Sequence, residues 1–449
     1  MKSAMLRTFG WTLLASAALA CAQSDYLPFP RSGWPAGIQT SWQIQGEYFG
    51  MTSANERLGA WIIARNASSS GTSPTQYGVV FLPGGLTTLP GDNQYGGWNG
   101  TTRWQGSGTG STAVMITTLQ NGKTFILGTS GTSPATTSTG GVTLDSVLGS
   151  GENRSMYGHI SGGATFVLAR VVRRSPTENL RPLSEWGATY WFDTATATAS
   201  LANWQTQDNA PTLYQSTYLL RGSKTINSLA HGRGYLHIEF MTCFNPYQTG
   251  QNRSNSGVYL QGKYETQVLD SYGLAGLNDE FGGIYTVRAA DINAALPPNT
   301  WHTYDIYFTP RASGSAGQAT GAAYMTVYAN GVKTQDSIPV PSVTTAGLTG
   351  DMLINAPLYL QNHSNNVIFR NIWFIPNATV QSRPYSTVLD AALPTSIRSG
   401  FKTQPGANRA TATMVLGPEG DYNLVGRKLN GDVKSLSVQP TVRKGTDGK

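Results

Sequence analysis

NSGVYLQGKYETQVLDSYG, residues 255–273, places two runs rich in β-branched and aromatic residues on either side of Gly262. Glycine reaches the backbone conformations that tight reversals need, so the stretch reads as a hairpin turning at Gly262. Strand side chains alternate between faces, which puts Glu265 and Gln267 on one side with Leu269, and Tyr264, Thr266 and Val268 on the other. A carboxylate beside an amide in mid-strand, among tyrosines, fits two situations. It can look into solvent, or it can line a concave polar site that supplies partners, since burying it unpaired is costly.

The same strand signal recurs outward in both directions. Towards the N-terminus lie GAWIIARN (59–66), YGVVFL (77–82), AVMITTL (113–119) and ATFVLARVVR (164–173). Gly/Ser/Thr-rich stretches such as 106–111 and 129–141 read as the loops between them, and no helical stretch of useful length intervenes. Arg173-Arg174-Ser175-Pro176-Thr177, followed by Pro182, lacks periodicity and reads as a linker. Beyond it strands are expected at 214–220, 234–241, 301–308, 322–328, 358–361 and 367–375, a count that suits a two-sheet sandwich. A second hairpin, PLYLQNHSNNVIFRNIW (357–373), has Gln361 and His363 pointing the same way and Arg370 on its returning strand. The expected fold class is all-β, with the sandwich preceded by a second all-β domain. The expected segments are a leader over 1–22, an N-terminal β domain over 23–176, the sandwich over 177–378 and a flexible basic tail over 379–449.

Bulk properties narrow the function. The chain has 449 residues, of which 12% are charged against about 25% in an average soluble protein, while Gly (52), Tyr (21) and Trp (11) are abundant. The formal charge of +7 lies mostly in the tail: residues 380–449 carry ten Lys/Arg and five Asp/Glu, hence +5, leaving +2 for the rest. Without clustered basic and aromatic residues, the body lacks the phosphate-tracking groove that nucleic-acid binding requires. Residues 1–22, with Lys2, Arg7, an apolar run and small residues at Ala20 and Ala22, read as a cleaved secretory signal, and no other segment is apolar enough to span a bilayer. The protein is therefore expected to be exported, to the periplasm, the cell surface or the medium. Removal of the leader with Cys21 leaves Cys243 alone, so no intrachain disulfide is expected.

Asn255-Ser256-Gly257-Val258-Tyr259-Leu260, Tyr264-Glu265-Thr266-Gln267-Val268-Leu269-Asp270-Ser271, Gly283-Ile284-Tyr285, Trp301-His302-Thr303-Tyr304-Asp305-Ile306, Val327-Tyr328-Ala329-Asn330-Gly331, Leu360-Gln361-Asn362-His363 and Phe369-Arg370-Asn371-Ile372-Trp373 occur in the order found in one family. Over about 188–376 the chain resembles the 3-keto-disaccharide hydrolase, or 3-keto-glucoside 1,2-lyase/hydratase, domain. The resemblance implies a concanavalin-like jelly roll. It also implies a chemistry in which the ketone at sugar carbon 3 acidifies the hydrogen on carbon 2. A base removes that proton, the enolate expels the aglycone from carbon 1, and water adds back, a route distinct from the two-carboxylate glycosidase scheme.

On this resemblance Glu265, Asp270 and His363 are candidates for acid/base work, and Gln267, Gln361, Arg370 and Tyr259 for polarising the ketone or binding the substrate. No cofactor is required, and a divalent metal on the carboxylates and histidine is compatible but not demanded. Many relatives read Gln-Asp-His-Gly where this chain has Gln361-Asn362-His363-Ser364, which removes a carboxylate beside His363. A glycoside or oligosaccharide is the expected substrate. Its ketone would come from a separate sugar 3-oxidoreductase, since no Gly-rich nucleotide-binding turn is present. Two other readings suit the same residues, a non-catalytic carbohydrate-binding protein and a surface structural β protein.

Overall fold

A computed structural model describes residues 36–65, 76–98, 100, 104–109, 114–119, 124–128, 142–150, 153–160, 164–182, 187–190, 204–207, 217–220, 224–248, 250–315, 317–349 and 355–380. The leader and nearly all of the basic tail lie outside them. The described residues fall in one compact unit, Met1–Thr387.

Nine antiparallel strands build the first sheet: β1 (Gly46–Thr52), β2 (Arg57–Arg65), β3 (Gln76–Pro83), β4 (Trp104–Thr109), β5 (Val114–Leu119), β6 (Thr124–Gly128), β7 (Val142–Ser150), β8 (Asn153–Ile160) and β9 (Thr165–Val171). Their order is β6-β5-β4-β3-β2-β1-β9-β8-β7. The strand-only expectation for this region needs one correction, because a helix, α1 (Ala36–Ile44), precedes the sheet. Its nine residues make only about two and a half turns, too few for a helical period to stand out. Ile38 and Ile44 bury against Tyr48, Ile62 and Phe81, and the Tyr48 hydroxyl donates to the Ile44 carbonyl at 2.7 Å, satisfying a free carbonyl at the helix end.

The remaining strands are β10 (Thr189–Tyr190), β11 (Trp204–Gln207), β12 (Thr217–Leu220), β13 (Lys224–His231), β14 (Gly234–Thr242), β15 (Ser256–Leu260), β16 (Tyr264–Val268), β17 (Trp301–Thr309), β18 (Ala312–Ser313), β19 (Ala319–Thr320), β20 (Ala323–Ala329), β21 (Val332–Val340), β22 (Ala356–Asn362) and β23 (Val367–Pro376). One large antiparallel sheet runs β11-β12-β23-β14-β17-β20-β21, with β10 also paired to β23, and a smaller sheet runs β13-β22-β15-β16. Leu236, Ile238 and Phe240 of β14, and Tyr304, Ile306 and Phe308 of β17, meet Val258, Leu260, Tyr264, Val268, Leu358 and Leu360 of the smaller sheet in one core, so the two sheets pack face to face. The hairpin read from the sequence is β15–β16. Gln261 (φ 51°) and Gly262 (φ 65°) are both left-handed at its turn, and a Cβ on Gly262 would lie 2.5 Å from Leu348.

The first sheet is held from both sides by aromatic residues of the later segment. Phe244 joins Ile38, Tyr48 and Phe81 on one face, while Tyr272 joins Trp61, Val80, Leu82 and Trp98 on the other. Residues read as a linker are anchored too. Arg173 is buried, with both Glu47 oxygens at 2.6 and 2.7 Å and Asp92 at 2.9 Å, and the Ser175 and Thr177 hydroxyls bond to that of Thr303.

Candidate active site

Pleat and register decide which side chains share the outer face of the smaller sheet. Tyr264, Val268, Val258, Leu358 and Leu360 point into the core, so the alternate residues point away from it. Tyr259 stands opposite Glu265 on one side and Tyr359 on the other, and Tyr359 stands opposite Thr225. The loop after β16 extends the row: Ile284 bridges to Thr266 and the Tyr285 amide donates to the Glu265 carbonyl, which sets Tyr285 beside Glu265. The next row, by the same register, is Gly283, Gln267, Gly257 and Gln361. Glutamines alternating with glycines leave a trough alongside a ridge of tyrosines.

Glu265 lies across that trough. A Cβ on Gly257 would fall 2.2 Å from its Oε1, so only glycine leaves room for the carboxylate there. The residue is 2% exposed. Burial pushes its carboxyl up to about 8, opposed by a hydrogen bond with the Tyr259 hydroxyl, and among the described residues no cation figures in the charges that act on it. Its charge in turn adds to the burial that raises Tyr259 and Tyr285. A carboxyl whose ionisation lies near neutrality is suited to taking and returning a proton.

Beside it lies a chain of amides. Gln251 Oε1 accepts from Asn255 Nδ2 and Gln267 Nε2, each at 2.9 Å, and Gln251 donates to the Asp279 carbonyl at 2.6 Å. The nitrogens of Asn255 and Gln267 are thereby used, while Asn255 Oδ1 and Gln267 Oε1 are buried with no donor among the described residues. Two oriented acceptors without donors suit the hydroxyl groups of a sugar. Walls rise on three sides: the 276–285 loop along β16, residues 344–348 at the hairpin turn, where the Tyr259 hydroxyl donates to the Thr345 carbonyl at 3.0 Å, and Gln251–Asn255 at the other end. Among the described residues the fourth side opens over half-buried Tyr359 and Gln361 towards exposed Thr225.

Of the residues singled out from the sequence, Tyr259, Glu265, Gln267 and Gln361 share this face. Asp270 does not join them. Its Oδ2 takes two bonds from Arg253, at 2.5 and 3.1 Å, and Arg253 also reaches the Ala64 carbonyl of the first sheet. Arg370 projects from the outer face of the large sheet, bonded to Glu239 and Glu178 at 2.7 Å each and stacked 3.8 Å from the Trp301 ring centroid. His363 is exposed at the β22–β23 tip. Glu265, Asp270 and His363 thus form no common donor set, and among the described residues no group of three or more His, Cys, Asp or Glu side chains could hold a metal ion. Tyr285, Tyr359 and Gly257 belong to the site although the sequence reading assigned them no role. Tyr359 could have been found by parity with Gln361, two residues on.

A face carrying one proton-labile carboxyl, flanked by tyrosines and amides, lies within the segment that matches a family model at residues 187–375. The chain contains a 3-keto-alpha-glucoside-1,2-lyase-like domain. Every residue of the face, from Thr225 to Gln361, lies inside this lyase-like domain. Two crystal structures of proposed glycosyl hydrolases from Parabacteroides distasonis ATCC 8503 are similar to the chain. One is 25% identical, covering 39% of this chain and 80% of its own, with a TM-score of 0.31. The other is 15% identical, covering 44% and 98%, with a TM-score of 0.29. No curated protein matches. No helix among the described residues is long and apolar enough to cross a membrane, which says nothing of strands.

Proposed function

We propose that the protein is an exported carbohydrate-active enzyme that cleaves 3-keto-glycosides on the Glu265 face by elimination and hydration, and that its two stacked sheets are a concanavalin-like jelly roll. The observation that carries the reading is the Glu265 carboxyl, buried without a cation and raised to about 8. In its ionised form it takes the proton from carbon 2 of the sugar. The electron pair becomes the enolate, which Tyr285 or an amide of the trough meets with a hydrogen-bond donor. The carbon 1 to oxygen bond then breaks, and the proton now on Glu265 passes to the departing oxygen. Water adds at carbon 1 of the resulting 2-hydroxyglycal while carbon 2 regains a proton, giving free 3-keto-sugar and aglycone. A base of this strength is about one-tenth ionised at pH 7 and gains activity as pH rises. The ketone itself is supplied by a separate sugar 3-oxidoreductase.

The test is incubation of the protein with a 3-keto-glucoside in deuterium oxide, followed by NMR. Aglycone release with deuterium at carbon 2, lost in Glu265→Gln, is the expected result. A specific observation favours the alternative of sugar binding alone: neither Asp270 nor His363 stands with Glu265, and the other carboxylate beside the face, Asp279, is engaged by Gln251. Binding of the keto-glucoside without turnover at any pH from 6 to 9 would decide for that alternative.

A further inference from the structure

Substrates of different length would meet different parts of this face. Glu265, Gln267 and Tyr259 are fully covered, Tyr359 and Gln361 are half-buried and Thr225 is exposed, so the row is closed at one end and open at the other. Neighbouring strands are about 4.8 Å apart, so Tyr359 stands roughly 10 Å from the strand that carries Glu265, about the span of one further sugar or aromatic ring. The Tyr359 ring is braced edge-to-face by Tyr259 at 5.1 Å and 63°, and Tyr259 is itself fixed through its bond to Thr345. A rigid aromatic face at the mouth of a polar trough provides a stacking platform that needs no ordering when a ring lands on it.

We infer that Tyr359, with Gln361 beside it, forms an aglycone subsite: the reacting ring lies over Gly257 and Glu265 at the closed end, and a cyclic aglycone, a second sugar or an aryl group, lies on Tyr359 and leaves over Thr225. This rests on the proposed assignment of the Glu265 face to glycosides. The enzyme therefore removes a terminal keto-sugar, because the wall formed by residues 276–285 leaves the reacting ring nowhere to continue on the β16 side.

The test compares methyl and 4-nitrophenyl 3-keto-glucosides, in both anomeric forms, with the whole protein and its Tyr359→Ala and Tyr359→Phe variants. The expected result is a rise of about ten-fold in KM for the nitrophenyl glycoside in Tyr359→Ala, no change for the methyl glycoside, and wild-type behaviour in Tyr359→Phe. An equal loss on both glycosides, or no loss on either, would overturn the subsite. If the wild-type protein turns over neither compound, saturation-transfer NMR with the same two glycosides decides separately. Contact of the nitrophenyl ring that vanishes in Tyr359→Ala supports the subsite even though the catalytic reading has failed. Contact that persists in that variant, or is missing from the wild type, overturns the subsite as well.

Discussion

The outer faces of the two stacked sheets each bury a glutamate, and the two are treated in opposite ways. On the large sheet Glu239 meets His237 at 3.3 Å, Arg370 at 2.7 Å, Asn371 at 2.7 Å and the Asn179 amide at 2.5 Å, while His237 also meets Asp305 at 2.6 Å. Burial raises the Glu239 carboxyl, but these partners outweigh it and hold it at about 2; burial likewise lowers His237, and its two carboxylates carry it to about 9. On the smaller sheet Glu265 is given a tyrosine and, among the described residues, no cation. The paired cluster fastens segment 178–180 to the sheet, whereas the unpaired carboxyl keeps a proton that can be exchanged. Partners, rather than burial, separate the two roles.

Glu265→Gln should break the comparison most sharply. Turnover of a 3-keto-glucoside should fall about 10²- to 10⁴-fold with the fold retained, as read by NMR rates and thermal melts. Glu239→Gln should do the reverse, costing about 3 kcal/mol in denaturant unfolding because His237 and Arg370 each lose one of two carboxylate partners and keep only Asp305 and Glu178, with the surviving folded fraction still binding sugar.

Acidity sharpens the contrast. Glu265 has a folded value above its unfolded one, so its contribution to stability is complete below about 4.5 and is lost as pH rises through about 8. That loss should amount to roughly 5 kcal/mol between about pH 4.5 and 8, while kcat/KM rises towards a plateau above about 8, and Glu265→Gln should remove both slopes. The paired cluster differs again. Glu239, with a depressed folded value, stabilises above about 4.5 and loses this as pH falls through about 2, and His237 stabilises below about 6.5 and loses this as pH rises through about 9. Unfolding midpoints of Glu239→Gln and His237→Asn across pH 2 to 10 should lose one limb each. The smallest effect is expected for Gly257→Ala, where the added methyl must push the Glu265 carboxylate aside. It should lower kcat about ten-fold and cost about 1 kcal/mol.

Much of the Glu265 face was legible because a strand's period of two is a local property: Glu265 and Gln267, and separately Gln361 and Tyr359, sort themselves onto faces from sequence alone. Their convergence was not legible in full, since it depends on the register of β15 with β22, roughly a hundred residues away. The residues placed elsewhere show the limit from the other side. Arg370 sits in the returning strand of the second hairpin as read, but its partners, Glu239 of the large sheet and Glu178 of the turn fastened to it, come from distant segments. Asp270 is drawn off by an arginine that no periodicity announces. The walls at 276–285 and 344–348 are aperiodic, and their positions are set by single backbone bonds such as that between Gln267 and Gly283. Helix α1 was invisible for the opposite reason, being too short to repeat its own pattern.

The grip of Phe244 and Tyr272 on the two faces of the first sheet reaches further than the join itself. Tyr272 and partly buried Ile292 pack on that sheet at opposite ends of the segment that carries Asp279 and Tyr285, and the Thr87 hydroxyl donates to the carbonyl of Asn293 just beyond. The Glu265 trough thus borrows one of its banks from a neighbour: the first sheet is the abutment from which the 276–285 span is hung. The sandwich is therefore poorly suited to transplantation on its own, and sequence drift at Trp61 or Trp98, outside the lyase-like segment, should be felt as altered substrate fit.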